Sequence, residues 1–164
     1  MNRLVSNLIL GFFILALVVV YGVAKQPAIY SLTAPAVKDG GRQAVLPNGV
    51  VLNVAVADSE DERIQGLSGI ENLSRDEGML FIFPYSGQHG IWMKDMNFPI
   101  DILWLDEDGR VVDVVENVPV PPEGETDGSL PIYHNDDPAK YVLEAVAGTA
   151  RGAGVEVGER VVLS

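Results

Sequence analysis

Residues 100–116 read IDILWLDEDGRVVDVVE, and this stretch predicts two β-strands joined by a tight turn. The runs 100–105 and 110–116 are rich in β-branched and other large apolar residues, which favour extended backbone. Between them, Asp108-Gly109 is typical of a hairpin turn, because both residue types tolerate a positive φ. The hairpin indicates that the domain around it is built mainly from β-strands.

Short apolar runs bounded by turn residues recur on both sides of the hairpin. They occupy residues 44–46, 50–57, 78–83 and 90–93 before it and 141–146 and 160–163 after it. One short helix is expected after Ser59, which can cap the first turn while Glu62 reaches back to it. Ile64 and Leu67 would then face the sheet. The pattern predicts a mainly β domain over residues 43–164, a small β-sandwich or barrel-like domain with one short helix.

The N-terminal part of the chain is strongly apolar. Residues 4–24 contain no charged side chain and lie between Arg3 and Lys25. As a helix they would span roughly 30 Å, the thickness of a bilayer's hydrocarbon core. A cleaved signal peptide is the alternative, although its apolar stretch is usually about 7–15 residues long. A buried helix of a soluble protein would show a polar face, which this segment lacks. We therefore favour a retained signal-anchor, a transmembrane helix over residues 1–24, followed by a flexible tether over residues 25–42.

The distribution of charge predicts an orientation and limits the partners. Arg3 and the α-amino group lie on the short N-terminal side of the apolar segment, so that side is expected to remain in the cytoplasm. Residues 26–164 would then lie on the extracytoplasmic side of the cytoplasmic membrane, attached by a single span. The net charge of −12 argues against nucleic acid as a partner, because both are negatively charged. The chain contains no cysteine, which excludes disulfides and thiolate chemistry.

The most distinctive polar stretch is Trp92-Met93-Lys94-Asp95. If it leaves a strand, Trp92 and Met93 point to opposite faces, so one of them packs in the core. In a binding pocket, Trp92 would stack on a sugar or a peptide, and Lys94 and Asp101 would supply polar contacts from the edge. In the alternative, Trp92 and Met93 both belong to the core, and Lys94 pairs with an acidic residue at the surface.

Two carboxylates lie within predicted strands. Asp101 is flanked by apolar residues in IDILWL, and Glu144 occupies a similar position in YVLEAV. If buried, each needs a partner, because an unpaired buried charge is costly; Lys94 or Arg63 could supply it. The two carboxylates could form a structural ion-pair network, contact a ligand, face water, or act as the acid/base pair of a glycoside hydrolase. These alternatives remain open at this point.

No metal ion or cofactor is predicted. The acidic residues 106–108 lack the spacing of an EF-hand calcium loop, and the hairpin turn explains them. His134 and His89 are the two histidines of the chain, and they form no two-histidine ligand motif. A G-x-S-x-G nucleophile elbow is also absent from the sequence.

Five short motifs follow one another through the predicted domain. They are Arg63-Ile64-Gln65-Gly66-Leu67, Gly78-Met79-Leu80-Phe81, Trp92-Met93-Lys94-Asp95, Pro99-Ile100-Asp101-Ile102 and Tyr141-Val142-Leu143-Glu144. In this order and spacing, residues 44–163 resemble the domain-of-unknown-function 192 family (DUF192). The resemblance implies a compact β-sandwich-like domain, frequently preceded by a signal or membrane segment, and no established reaction. The chain departs from the family at Ser68, where a methionine is usual, and it lacks the cysteine pair that many members carry in the long loop.

The sequence thus predicts a membrane-anchored extracytoplasmic domain that binds a small molecule, a glycan or an envelope partner. The candidate binding residues are Arg63, Trp92, Met93, Lys94 and Asp95. The alternative is a hydrolase of an envelope polymer with Asp101 and Glu144 as catalytic carboxylates, assisted by Lys94 or Arg63. Convergence of these side chains in one cleft would favour a site of either kind, and separation onto different faces would argue against the hydrolase.

Overall fold

A computed structural model describes residues 41–164, and within this range the chain forms nine strands, two α-helices and one 3-10 turn. The strands are β1 Arg42–Val45, β2 Val51–Ala57, β3 Glu77–Gly87, β4 Ile91–Trp92, β5 Ile100–Leu105, β6 Val111–Val118, β7 Ile132–Tyr133, β8 Ala139–Val146 and β9 Val162–Leu163. The helices are α1 Glu60–Gln65 and α2 Thr149–Ala153, and the 3-10 turn is Asp127–Ser129. The predicted anchor and the tether up to residue 40 lie outside the described residues. Neither helix of the described part has the length and apolar character needed to cross a bilayer.

Seven of these strands form one curled sheet in the order β6-β5-β8-β3-β2-β1-β9. Neighbouring strands are antiparallel except β2 and β3, which are parallel and joined by a crossover that contains α1. An antiparallel bridge between Arg110 and Arg160 brings the two ends of the sheet together. The prediction of a mainly β domain is confirmed, and the sheet has the form of a half-barrel with short helices.

The hairpin predicted within residues 100–116 is present as β5 and β6. In its turn, the Asp106 carboxylate accepts hydrogen bonds of 2.8 Å from the backbone N–H groups of Asp108 and Arg110. Gly109 has a φ of +78°, and a Cβ at this position would lie 2.4 Å from the carbonyl oxygen of Val161. A glycine is therefore required both by the turn and by the close approach of the two sheet ends.

The segment between β6 and β8 contributes β7, which pairs with β4 in a separate two-stranded ribbon. Trp92 lies opposite Ile132 in this ribbon, and Ile91 lies opposite Tyr133. Ile91 is buried, whereas Trp92 and Ile132 are 37% and 56% exposed. The ribbon thus presents one apolar face to the core and another to solvent.

Both faces of the sheet are covered around the central strands β5 and β8. All six residues of β5 are buried, which explains why its sequence is an almost continuous apolar run. One face, called the α2 face, packs around Leu103, Leu143, Ala145, Ala150 and Ala153. The other, called the ribbon face, packs around Met79, Ile91, Met93, Ile102 and Trp104.

Helix α1 begins with the predicted capping box. Ser59 Oγ accepts a hydrogen bond from the Glu62 N–H at 3.3 Å, and the Glu62 carboxylate accepts one from the Ser59 N–H at 3.0 Å. The hydrogen bonds that the Glu62 carboxylate accepts from the backbone N–H and hydroxyl of Ser59 and from the backbone N–H of Asp58 lower the pKa of Glu62. The helix ends at Gly66, which has a φ of +48°. Leu67 after this turn is buried, whereas Ile64 within the helix is 59% exposed. The prediction that both residues face the sheet is therefore wrong for Ile64.

The second helix, α2, corrects the prediction of a single short helix. It has five residues, and its N-cap position is Gly148, which has no side chain that could cap the free N–H groups. A helix this short is marginal by itself, so it must be stabilised by tertiary contacts. The buried side chains of Ala150 and Ala153 and a carboxylate from β5, described below, supply these contacts.

Candidate functional site

A narrow cavity opens on the ribbon face between the end of α1, strand β4 and a floor formed by β3 and β8. It encloses about 50 Å³, which is room for a few water molecules or for the end group of a ligand. Its lining consists of Arg63, Ile64, Gln65, Gly66, Leu67, Ser68, Phe81, Gly90, Ile91, Trp92, Met96 and Glu144. Three of the residues singled out from the sequence, Arg63, Trp92 and Glu144, therefore meet at one place.

Glu144 forms part of the cavity floor. It lies in the middle of β8, opposite Met79 of β3 and Ile102 of β5. The residue is 4% exposed, and burial raises the pKa of its carboxyl to about 8. Because low-polarity surroundings disfavour the charged form, the carboxyl retains its proton at neutral pH.

Within residues 41–164, no hydrogen bond or ion pair reaches the carboxyl of Glu144, and burial alone accounts for its raised pKa. No side-chain nitrogen or oxygen in this part of the chain is both sealed from solvent and without a partner. The Glu144 oxygens are consequently accessible to solvent from the cavity. A buried ionisable group that opens into a cavity is typical of a functional site.

Arg63 forms one wall of the cavity from helix α1. Its guanidinium donates hydrogen bonds to the carbonyl oxygens of Ile82, at 2.9 Å, and of Asp58. It also lies 5.5 Å from the centroid of the Phe83 ring. These contacts join α1 to β3, and among the described residues no ion pair links Arg63 to the Glu144 carboxyl.

Strand β4 places Trp92 at the mouth of the cavity. Trp92 is 37% exposed, whereas Met93 is 1% exposed, which confirms that the two side chains point to opposite faces. Met93 packs in the core of the ribbon face and does not line the cavity. The Lys94 Nζ lies 5.5 Å from the centroid of the Trp92 ring. It also forms an ion pair with Asp127, and this contact raises the pKa of Lys94.

Asp95 lies apart from the cavity. Its φ is +51°, and its carbonyl oxygen accepts a hydrogen bond of 2.8 Å from the Gly69 N–H. It borders an open surface depression together with Gly69, Glu71, Met96 and Asn97. The structure therefore assigns this candidate binding residue to the turn after β4.

Asp101 and Glu144 lie on opposite faces of the sheet. In the β5–β8 ladder, Asp101 is opposite Ala145, and Glu144 is opposite Ile102. Residues directly opposite each other share a face, and successive residues of one strand alternate between faces. Asp101 thus lies on the α2 face and Glu144 on the ribbon face, and the structure does not bring the two candidate catalytic carboxylates together.

The partners of Asp101 are backbone groups. Its two carboxylate oxygens each accept a hydrogen bond of 2.8 Å, from the Asn117 N–H and the Ala150 N–H. Asn117 has a φ of +55° and belongs to a bulge in β6, and Ala150 lies in the first turn of α2. The prediction that Lys94 or Arg63 pairs with Asp101 is therefore wrong. The Asp101 carboxylate instead accepts hydrogen bonds from N–H groups that have no other partner among the described residues, at the bulge in β6 and at the start of α2.

A buried polar cluster beside the ribbon was missed in the sequence. His89 is 7% exposed, and its ring stacks on Phe83 with centroids 3.5 Å apart. The backbone N–H of His89 donates a hydrogen bond to Asn135 Oδ1 at 2.8 Å, and its backbone carbonyl oxygen accepts one from Trp104 Nε1 at 2.9 Å. Burial lowers the pKa of His89. These residues are far apart in sequence and form no motif, so no local pattern identifies the cluster.

Comparison with known proteins places residues 44–163 in a family model, DUF192, described as an uncharacterised ACR. A UPF0127 protein of Thermococcus gammatolerans is 30% identical over 109 residues, which make up 65% of this chain and 63% of that protein. The chain thus matches less than two thirds of the length of this curated relative.

Two crystal structures are similar to this fold. A protein from Sinorhizobium meliloti, proposed to be a transcription regulator, is 32% identical with a TM-score of 0.62, and the match covers 74% of this chain and 90% of that one. A protein of unknown function from Novosphingobium aromaticivorans is 26% identical with a TM-score of 0.64, and the match covers 85% of this chain and 94% of that one. The curled sheet with its short helices is therefore shared by solved relatives.

Proposed function

The chain belongs to the DUF192 family, and on the geometry of its cavity we propose that it is a binding domain whose ligand inserts an end group next to Glu144. The ligand is a small molecule, or the end of a glycan or of an envelope protein. The observation that carries the proposal is the Glu144 carboxyl, 4% exposed, without a partner among the described residues and open to the cavity. A ligand that hydrogen-bonds this group would strengthen the polar interactions that its partial removal from water has weakened.

The surroundings of the cavity support this role. Its volume of about 50 Å³ is small beside the clefts of several hundred Å³ that enclose whole drug-sized ligands, so only one end of a ligand enters it. The remainder would lie across Trp92 and Ile64, which are 37% and 59% exposed at the mouth. Trp92 offers a flat aromatic surface of the kind that binds sugar rings and apolar chains.

Two other functions lack comparable support. The hydrolase alternative needs two carboxylates facing one cleft, and Glu144 is the single carboxylate among the described residues that line the cavity. A role in transcription, proposed for the Sinorhizobium relative, would require contact with DNA. The net charge of −12 opposes such contact, and we do not extend that role to this chain.

A screen of ligands by thermal unfolding tests the binding function. The full chain in detergent is screened against glycans, cell-wall fragments, amines and nucleotides. A ligand present at about 100 times its dissociation constant adds roughly 2.7 kcal/mol to the free energy of unfolding, which raises the unfolding midpoint. We expect Glu144→Gln and Trp92→Ala to lose this rise, because the first exchanges the carboxyl for an amide that cannot ionise and the second removes the aromatic ring at the cavity.

The matched control for Trp92→Ala is Tyr85→Ala. Tyr85 is 69% exposed and lies outside the cavity lining, so its replacement should leave the ligand-induced rise unchanged. If Glu144→Gln and Trp92→Ala keep the full rise with every ligand that stabilises the parent chain, the cavity is not the binding site.

We further propose that residues 1–24 hold the domain on the extracytoplasmic face of the cytoplasmic membrane. The uncharged stretch over residues 4–24 and the basic Arg3 before it support this arrangement. In cells, the full chain with a C-terminal tag should sediment with membranes, resist extraction by salt and dissolve in detergent. External protease should remove the tag in spheroplasts. Recovery of a shortened soluble chain would instead identify a cleaved signal, and a tag protected until lysis would reverse the orientation.

A further inference from the structure

The cavity contains a carboxyl group and no cation directed at it. Arg63 is the single basic residue among the described residues that line the cavity. Its Nη1 donates hydrogen bonds to the carbonyl oxygens of Asp58 and Ile82, and its guanidinium lies 5.5 Å from the centroid of the Phe83 ring. A buried carboxylate requires an ion pair or several hydrogen bonds, and residues 41–164 supply neither to Glu144.

The mouth of the cavity already accommodates an ammonium group. Lys94 Nζ lies 5.5 Å from the centroid of the Trp92 ring, within the range of a cation–π contact. Lys94 is held there by its ion pair with Asp127 and does not line the cavity. The net charge of −12 also raises the local concentration of cations around the domain.

On the basis of the proposed binding function, we infer that the ligand is an organic amine whose ammonium group enters the cavity and pairs with the Glu144 carboxylate, while its carbon chain lies against Trp92. The unpartnered carboxyl at the floor and the aromatic side chain of Trp92 at the mouth carry this assignment. An anionic end group would meet a carboxyl that cannot become positive, whereas an ammonium group would meet one that can become negative.

The affinity for the amine should depend on pH. Glu144 binds a cation as the carboxylate, so its proton must leave for solvent when the ammonium enters. With its pKa near 8, affinity should rise about tenfold per pH unit below 8 and level off above it. The charged groups near Glu144 are Arg63 on α1 and, at the mouth, Lys94 after β4. Asp101 of β5 lies on the other face of the sheet.

The test compares three probes of one size and different charge: propylammonium, 1-propanol and propionate. Each is titrated into the ¹⁵N-labelled full chain in detergent while the backbone amide signals of residues 67, 92 and 144 are followed at pH 6, 7 and 8. Propylammonium should shift these signals, and its dissociation constant should fall about tenfold between pH 6 and pH 7. Glu144→Gln should abolish the effect, because the amide keeps the shape of the protonated acid and cannot become negative.

The matched control is Asp76→Asn, which neutralises an exposed carboxylate outside the cavity and should keep the pH-dependent binding. If 1-propanol or propionate shifts the same signals and propylammonium does not, the amine assignment fails while the binding function stands. If propylammonium binds equally at pH 6 and pH 8, or binds equally to Glu144→Gln, the assignment is also overturned. If none of the probes shifts these signals, the amine assignment fails, and the thermal screen decides the binding function separately.

Discussion

Replacement of Asp101 by alanine is expected to lower the free energy of unfolding by about 3–5 kcal/mol, since each charge-assisted hydrogen bond contributes about 1.5–3 kcal/mol. The carboxylate is fully buried and accepts two hydrogen bonds of 2.8 Å, from Asn117 in the β6 bulge and Ala150 in α2. Alanine would leave both N–H groups without an acceptor at the junction of three elements. Urea denaturation followed by circular dichroism measures the change.

Two further variants make this prediction specific. Asp101→Asn should cost about half as much, because the amide oxygen can accept from one N–H group while its NH₂ faces the other. Asp76→Asn should change the free energy of unfolding by less than about 0.5 kcal/mol, because this side chain is exposed. An Asp101→Ala chain as stable as the parent would contradict the structural role, and the residue would then need another explanation for its burial.

The second large effect is a dependence of stability on pH that Glu144 introduces. Burial raises the pKa of this carboxyl from 4.5 to about 8, so between these values the unfolded chain is deprotonated and the folded chain is protonated. The stability that the protonated group provides is therefore present in full below pH 4.5 and is lost as the pH rises through 8. The loss amounts to about 1.4 kcal/mol for each pH unit within this window.

Glu144→Gln isolates this contribution because glutamine resembles the protonated acid and does not titrate. The difference in free energy of unfolding between Glu144→Gln and the parent should grow by roughly 3 kcal/mol in favour of the variant between pH 5 and pH 7.5. His89, whose pKa is lowered by burial, acts in the opposite direction, and its effect cancels in the difference because both chains contain it. Parallel stability curves for the two chains would show that Glu144 is ionised or partnered in the folded protein.

The candidate site was only partly visible in the sequence. Trp92 and Glu144 could be named because an aromatic residue beside a charged turn and a carboxylate inside an apolar strand are unusual. Ile64 was assigned to the core, because an apolar residue in a short helix normally packs inward. The cavity lies where α1 ends at Gly66, and there Ile64 is 59% exposed while Leu67 is 2% exposed. The way α1 packs on the sheet, which involves residues distant in sequence, thus decided which residue faced the mouth.

The sequence by itself determined the features that depend on neighbouring residues. The mainly β composition, the turn at Asp108-Gly109 and the capping box of Ser59 and Glu62 are all present in the structure. Each follows from local backbone preference or from hydrogen bonds between residues at most a few positions apart, so no knowledge of the rest of the chain was needed.

Only the tertiary structure decided where the two buried carboxylates face. Successive residues of a strand point to alternate faces of the sheet. A strand that is covered on both sides has no polar face from which the sequence could identify the solvent side, and β5 is buried along its whole length. The register of β5 against β8 places Asp101 towards α2 and Glu144 towards the cavity. Asp101 consequently accepts hydrogen bonds from backbone N–H groups, and Glu144 remains without a partner among the described residues. The two differ because the groups around each of them come from segments distant in sequence.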